Sequence, residues 1–185
     1  VDGNTLHDTN ITKYELACSI SHIKAITQAY NDGLASVLIM EDDMHIDYLD
    51  KWENSIRKII SLAPHDAECL QLHCINDNAI RAMINMEDVF YKWRHGSSSC
   101  GCYYINRSGM EKIINSKDSI APADDYIYRN VVSYTYTRPL FNHIAGDTSI
   151  HITDRDQHMI WHQQSQRTID NYFSSPQFHT AYYIN

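Results

Sequence analysis

Apolar residues recur at helical spacing early in the chain, at Leu16, Ile20, Ile23 and Ile26, and this period predicts an amphipathic helix. Thr12-Lys13-Tyr14-Glu15 marks its start as a capping box, in which the hydroxyl takes a backbone N–H and Glu15 reaches back. Asn31-Asp32-Gly33 supplies the stop. Residues 37–40 form a short unbroken apolar run, which reads as a fully buried strand. Trp52, Ile56, Ile59 and Ile60 then predict a second helix over 50–62, closed by Pro64.

Strands are expected over 68–74, 88–93 and 101–106. A second capping box, Ser108-Gly109-Met110-Glu111, predicts a short helix. Pro122 precedes an acidic helix start at Asp124-Asp125, and residues 134–137 alternate like an exposed strand ahead of Pro139. From about Asp154 the chain is polar and rich in Gln and His. Residues 151–185 are therefore expected to be a polar extension wrapping the surface of a single domain that spans 1–185. This order of elements predicts a mixed α/β sheet rather than a bundle or a sandwich. Ligands of open α/β sheets sit beyond the carboxyl ends of strands, which is where Glu41-Asp42-Asp43 would lie.

Composition narrows the function classes. A net charge of −8 argues against non-specific binding to nucleic acid or to an anionic membrane surface. The five cysteines (Cys18, Cys69, Cys74, Cys100, Cys102) are odd in number and include no CxxC. They read as reduced core thiols, favouring a cytoplasmic setting, with peripheral membrane attachment left open. Cys100-Gly101-Cys102 could instead pair locally or bind a metal. No apolar run approaches the roughly 18 residues that span a bilayer, so no transmembrane segment is expected, and no signal peptide is visible. The chain opens at Val1 rather than at Met, so a processed or excised piece lacking an N-terminal part is expected.

The acid run is the first candidate for chemistry. Adjacent carboxylates repel and raise one another's pKa unless a cation compensates. A hard divalent ion such as Mn²⁺ or Mg²⁺ is the economical partner for oxygen ligands. In an extended chain, residues i and i+2 point the same way, so Glu41 and Asp43 would share the ion while Asp42 faces elsewhere. A solvated acidic loop is the plainer alternative. Asp47 and Asp50 do not continue into a calcium loop, because its glycine and terminal glutamate are missing. Taken singly, Ser21-His22 reads as a polar pair on a solvent face. Asp124-Asp125 reads as helix capping, although the same place keeps a carboxylate available as a base. His143, His151, His158 and His162 show no metal-helix spacing, and each alone reads as a surface residue.

Together, the segments "VDGNTL", "ELACSISHIKAI", "VLIMEDDM", "CGCYYINRSGMEKII" and "APADDYIY" stand in a specific order. Over roughly residues 1–150 the chain resembles glycosyltransferase family 25, which includes lipooligosaccharide and procollagen galactosyltransferases. The resemblance implies a GT-A-like α/β fold with a mixed central sheet, here without the family's N-terminal strand and helix. It implies inverting transfer of a hexose, such as galactose or glucose, from a UDP-sugar to a saccharide or hydroxylysine-type acceptor. The implied partners are thus a nucleotide sugar and a glycan or glycosylatable protein, with no nucleic acid. Carried over residue by residue, Glu41 and Asp43 would hold Mn²⁺ or Mg²⁺ and Asp42 would face the donor. Ser21 and His22 would belong to the donor site. Asp125, or next Asp124, would be the catalytic base, and His151 or His143 would complete the metal shell. Two rivals remain: a non-catalytic sugar- or protein-binding module on the same fold, and a metal-dependent phosphohydrolase, weakened by the lack of a second metal-ligand motif.

Overall fold

The computed structural model describes residues 11–143 and 155–175. The first capping box forms as expected. Thr12 Oγ1 accepts from the Glu15 N–H (3.2 Å), and the Glu15 carboxylate accepts from the Thr12 N–H (2.8 Å). It launches α1 (Lys13–Asn31), followed by β1 (Ser36–Met40), β2 (Met44–His45) and, after one 3-10 turn, α2 (Ile56–Leu62). The middle of the chain gives β3 (Cys69–Gln71), α3 (Asp77–Met83), β4 (Phe90–Lys92), β5 (Cys102–Asn106) and α4 (Arg107–Asn115). Then come α5 (Ala123–Asn130), β6 (Ser133–Tyr136), β7 (Asn142–His143) and α6 (Arg155–Phe173).

The central sheet runs β1-β5-β3-β6-β4, parallel between β3 and β6 and antiparallel elsewhere, so the sheet is mixed as expected. Alternation along the strands feeds two cores. Cys69, Tyr103 and Ile105 pack with Ile26, Met110 and Ile127 from α1, α4 and α5. On the other face Leu70, Leu72 and Cys102 meet Ile59, Leu140 and Phe141. Cys100 and Cys102 enter different cores, and all five cysteines are free thiols.

Several expectations require correction. β1 is an edge strand among the described residues, with Leu38 42% and Met40 49% exposed, so it is not fully buried. β6 lies between β3 and β4 rather than on the surface. Its polar row is buried because the Thr135 hydroxyl donates to Gln71 Oε1 (2.7 Å), a pairing that alternation alone does not reveal. α2 begins late, capped by Ser55. The cap of α4 is Asn106, whose Oδ1 accepts from the Gly109 N–H (2.9 Å), while Ser108 donates to Glu68 instead (2.8 Å). The polar stretch after 154 contains the helix α6. Within it, Ser165, Thr168, Ile169 and Phe173 form the buried stripe of α6, which packs with Tyr48, Ile80 and Met83.

Glu68 ties one end of this architecture together. It is 8% exposed, accepts from the Val132 N–H (2.9 Å) ahead of β6, and pairs with Lys112 of α4 (2.7 Å). α4 approaches so closely that a Cβ on Gly109 would lie 2.8 Å from Ile105 Cγ1 and 3.0 Å from the Glu68 carbonyl. Burial pushes the Glu68 carboxyl upward, but Lys112, the Val132 N–H and Ser108 outweigh it and hold it below its ordinary 4.5. Glu68→Ala should lower stability by about 2–3 kcal/mol near neutral pH, since it strands a buried N–H and removes charge-assisted bonds. For a depressed carboxylate this contribution is complete above pH 4.5 and fades as pH falls through the folded value. Denaturant curves of the two proteins, well separated at neutral pH, should converge in acid.

Candidate functional site

β1 ends at Met40, and the acid run bends away from it. The Glu41 N–H donates to the Gly101 carbonyl (2.8 Å) and the Met44 N–H donates to the Glu41 carbonyl (3.4 Å). The three acids therefore occupy a tight turn, and the alternation of extended chain does not aim Glu41 and Asp43 alike. Glu41 reaches the α1 side, Asp42 is exposed, and Asp43 lies against β7.

Glu41 enters a cluster that the helix builds. Cys18 and His22 are one turn apart on α1 and share a face. Glu41 Oε1 lies 3.1 Å from His22 Nε2, 3.6 Å from Cys100 Sγ and 3.9 Å from Cys18 Sγ. Cys100 Sγ is 3.4 Å from His22 Nε2, and the other ring nitrogen, Nδ1, is 3.1 Å from the buried Tyr103 hydroxyl. Burial pushes the His22 imidazole down, but Cys18 and Glu41 outweigh that and raise it to about 9. Glu41 is pushed up by burial and brought net below its ordinary range by His22. The Cys100 and His22 hydrogen bonds lower Cys18 to about 6 against its burial. Ser21 stays outside this group: it is exposed, and its hydroxyl donates to the Ala17 carbonyl of its own helix (2.9 Å).

Asp43 belongs to a second constellation. β2 pairs with β7 in a small ribbon that sets Met44 opposite His143 and His45 opposite Asn142. Asp43 Oδ2 is thereby 3.4 Å from His143 Nδ1. Asn142 donates its amide N–H to Asp47 (2.8 Å), which leaves its oxygen unused. Asp43 Oδ1, Asn142 Oδ1 and His143 Nδ1 are buried without a hydrogen-bond partner among the described residues. Such orphans are rare in folded proteins. A carboxylate oxygen of Asp43 and the imidazole nitrogen of His143 are donor types that suit Mn²⁺ or Mg²⁺ and so fit the ion that the family resemblance implies. Asn142, the neighbour of His143 on β7, turns instead to Asp47. Burial raises the Asp43 pKa, opposed by His143. The His143 ring stacks on His162 of α6 (4.1 Å between centroids) and, further off, on His73 (6.3 Å). Burial and then His143 drive His73 down to about 3, so it is a neutral ring. His151 and the side chain of His158 lie outside the described residues.

The loop before β5 connects the two constellations to the candidate bases. Ser99 has φ 122°, a strained backbone for a residue other than glycine. Its N–H donates to Asp124 Oδ2 (3.1 Å), and its carbonyl accepts from Gln71 Nε2 (2.9 Å) and the Tyr128 hydroxyl (3.0 Å). Its hydroxyl meets His73 Nδ1 (2.7 Å) and accepts from the Gly101 N–H (3.0 Å). A Cβ on Gly101 would fall 2.7 Å from Met44 Sδ and 2.8 Å from His73 Nδ1, so a glycine is needed for this approach. Asp124 also accepts from the Asp125 N–H (2.9 Å); burial raises its pKa, with these backbone donors opposing. Asp125 is more open, paired with His95 (2.7 Å) and Arg129 (3.5 Å). The sequence reading missed Asn142, His73, Ser99 and the role of Cys100. Only the Cys18–His22 helical spacing offered a local signal.

The cluster makes Cys18 unlike the other thiols. Burial lifts Cys74 and Cys102 to about 12 and raises Cys69, while the Cys18 bond and burial lift Cys100. In chelator-treated protein near neutral pH, iodoacetamide should alkylate Cys18 well ahead of the other four. Peptide mass spectrometry across pH should show that rate falling as pH drops through about 6.

With this geometry established, comparison with known proteins adds one result. The model of glycosyltransferase family 25, described as an LPS biosynthesis protein, matches residues 3–128. No curated protein matches the chain. The matched stretch carries α1, the acid turn, the 97–101 loop and Asp124-Asp125, while Asn142 and His143 lie beyond it. The mixed α/β fold around a five-stranded sheet is consistent with a GT-A-like transferase. No described helix is long and apolar enough to cross a membrane. The match spans about two thirds of the chain, and the protein belongs to glycosyltransferase family 25.

Proposed function

We propose that this chain transfers a hexose from a UDP-sugar to a glycan or glycosylatable protein acceptor, with inversion, assisted by Mn²⁺ or Mg²⁺. Family membership supports a glycosyltransferase. The observation that carries the finer reading is the Asp43–His143 pair, 3.4 Å apart, whose buried Oδ1 and Nδ1 make no hydrogen bond among the described residues. Asp43 leads the ion's ligands, with His143; Glu41 stands at the edge, its Oε1 already engaged by His22 and Cys100. When bound, the ion offsets the negative charge that builds on a departing nucleoside diphosphate.

The chain's own residues do the rest. Asp42 and Ser21, both exposed, are free to meet the donor, while His22 positions Glu41 from within. Asp125 accepts the acceptor-hydroxyl proton, as the base does in inverting sugar chemistry. His95 and Arg129 hold it in position. Asp124, tied to two backbone N–H groups, fixes the 97–101 loop beside it.

UDP-galactose or UDP-glucose with Mn²⁺ should raise the thermal midpoint, by the equivalent of about 2.7 kcal/mol at a hundredfold excess over Kd. Asp43→Ala should abolish that shift. Asp125→Asn should keep it while lowering nucleotide release in the presence of acceptor by about 10²–10⁴-fold. The absence of a shift with every nucleotide sugar tried, with either metal, would refute the reading. Loss of turnover in Asp124→Asn with Asp125→Asn unaffected would exchange the two roles.

A further inference from the structure

We infer that Cys18, His22, Glu41 and Cys100 form a binding site for a soft divalent cation, Zn²⁺ by preference, separate from the Asp43 constellation. The four donor atoms all lie within 4.8 Å of one another. A tetrahedral zinc ion with bonds of about 2.0–2.3 Å sets its ligand atoms roughly 3.3–3.8 Å apart. The separations His22–Glu41 3.1 Å, Cys100–His22 3.4 Å, Cys100–Glu41 3.6 Å and Cys18–Glu41 3.9 Å already sit close to that spacing. An ion needs only small side-chain adjustments to enter.

The surroundings agree with a ligand set. His22 presents Nε2 to the other donors because Nδ1 is occupied by the Tyr103 hydroxyl, the outer contact that orients a metal-binding imidazole. Tyr103 is itself fully buried in the core. Two ligands come from one face of α1, one from the turn after β1, and one from the loop fixed by the strained Ser99. All four ligands come from residues 18–100, and their supports, Tyr103, Asp124 and Tyr128, follow shortly after. Two sulfurs, an imidazole and one carboxylate select zinc over the oxygen-seeking ions suited to Asp43. All four positions are filled by the protein, which is the pattern of a structural site rather than a catalytic one. Bound zinc would join α1, the acid turn and the 97–101 loop at one point, and so hold in register the two elements that flank Asp43. The inference does not rest on glycosyl transfer.

The test uses the whole chain, reduced, stripped with chelator and titrated anaerobically with Co²⁺ alone. The expected result is a stoichiometric cobalt spectrum with tetrahedral d–d bands in the visible and a thiolate-to-metal band in the near ultraviolet, displaced by Zn²⁺ but not by Mn²⁺. Cys18→Ser and Cys100→Ser should each weaken the thiolate band. Tyr103→Phe should keep the spectrum and lower affinity by about 10–100-fold. Cys74→Ser, a buried thiol outside the cluster, should change nothing. Wild-type protein that is folded by circular dichroism yet gives no thiolate band would overturn the proposal. So would a band that survives in the Cys18→Ser, Cys100→Ser double variant.

Discussion

The site depends on one backbone constraint: Ser99, held at φ 122° by partners on every side. Asp124 takes its N–H, Gln71 and Tyr128 take its carbonyl, and His73 meets its hydroxyl. A left-handed residue that is not glycine persists only where its surroundings over-determine it. Here they do, and the consequence is directional. The bend delivers Cys100 to Glu41 on one side, brings Gly101 under Met44 and His73 on the other, and leaves Asp125 at the surface beside them. Gln71, a fully buried polar residue in the middle of the sheet, makes sense only as an anchor for this loop, with Thr135 satisfying its far end.

Given that loop, three like charges in a row become tolerable because the turn distributes them. Glu41 is met by an imidazole and two sulfurs, Asp42 by solvent, and Asp43 by His143. The three side chains thus meet three different surroundings, although burial and then the Glu41 and Asp42 charges still push Asp43 upward against His143. The division also separates chemistries. The Glu41 side is rich in sulfur, while the Asp43 side offers oxygen and imidazole, so the two would attract different classes of cation.

Much of the scaffold was legible because its signals are local. The Thr12–Glu15 box, the apolar period of α1 and the strand before the acids each need only neighbouring residues to be read. The site was legible only in part. Asp43 and Asp124-Asp125 announce themselves as acids at element ends, but their partners are remote. His143 reaches Asp43 through a ribbon of two residues per strand, too short to leave a periodic trace. Cys100 meets His22 from 78 residues further along the chain, and its loop geometry rests on a strained serine that no turn rule would nominate. α6 was obscured differently. Its buried face uses Ser165 and Thr168, hydroxyls that satisfy themselves on Ile75 and Asp77, so hydrophobic period underestimates it.

The edge position of β1 gives the acid turn an unusual mechanical footing. Among the described residues its root is hydrogen-bonded on one side, to β5, and its tip is held where β2 meets β7. The turn is thus a short beam supported at two points, bridging a rigid sheet and a slender ribbon. Segments with few backbone hydrogen bonds open at lower free energy than the sheet they join. The ribbon end, where Asp43 sits, has two paired positions against five at the root near Glu41, so opening is expected there first.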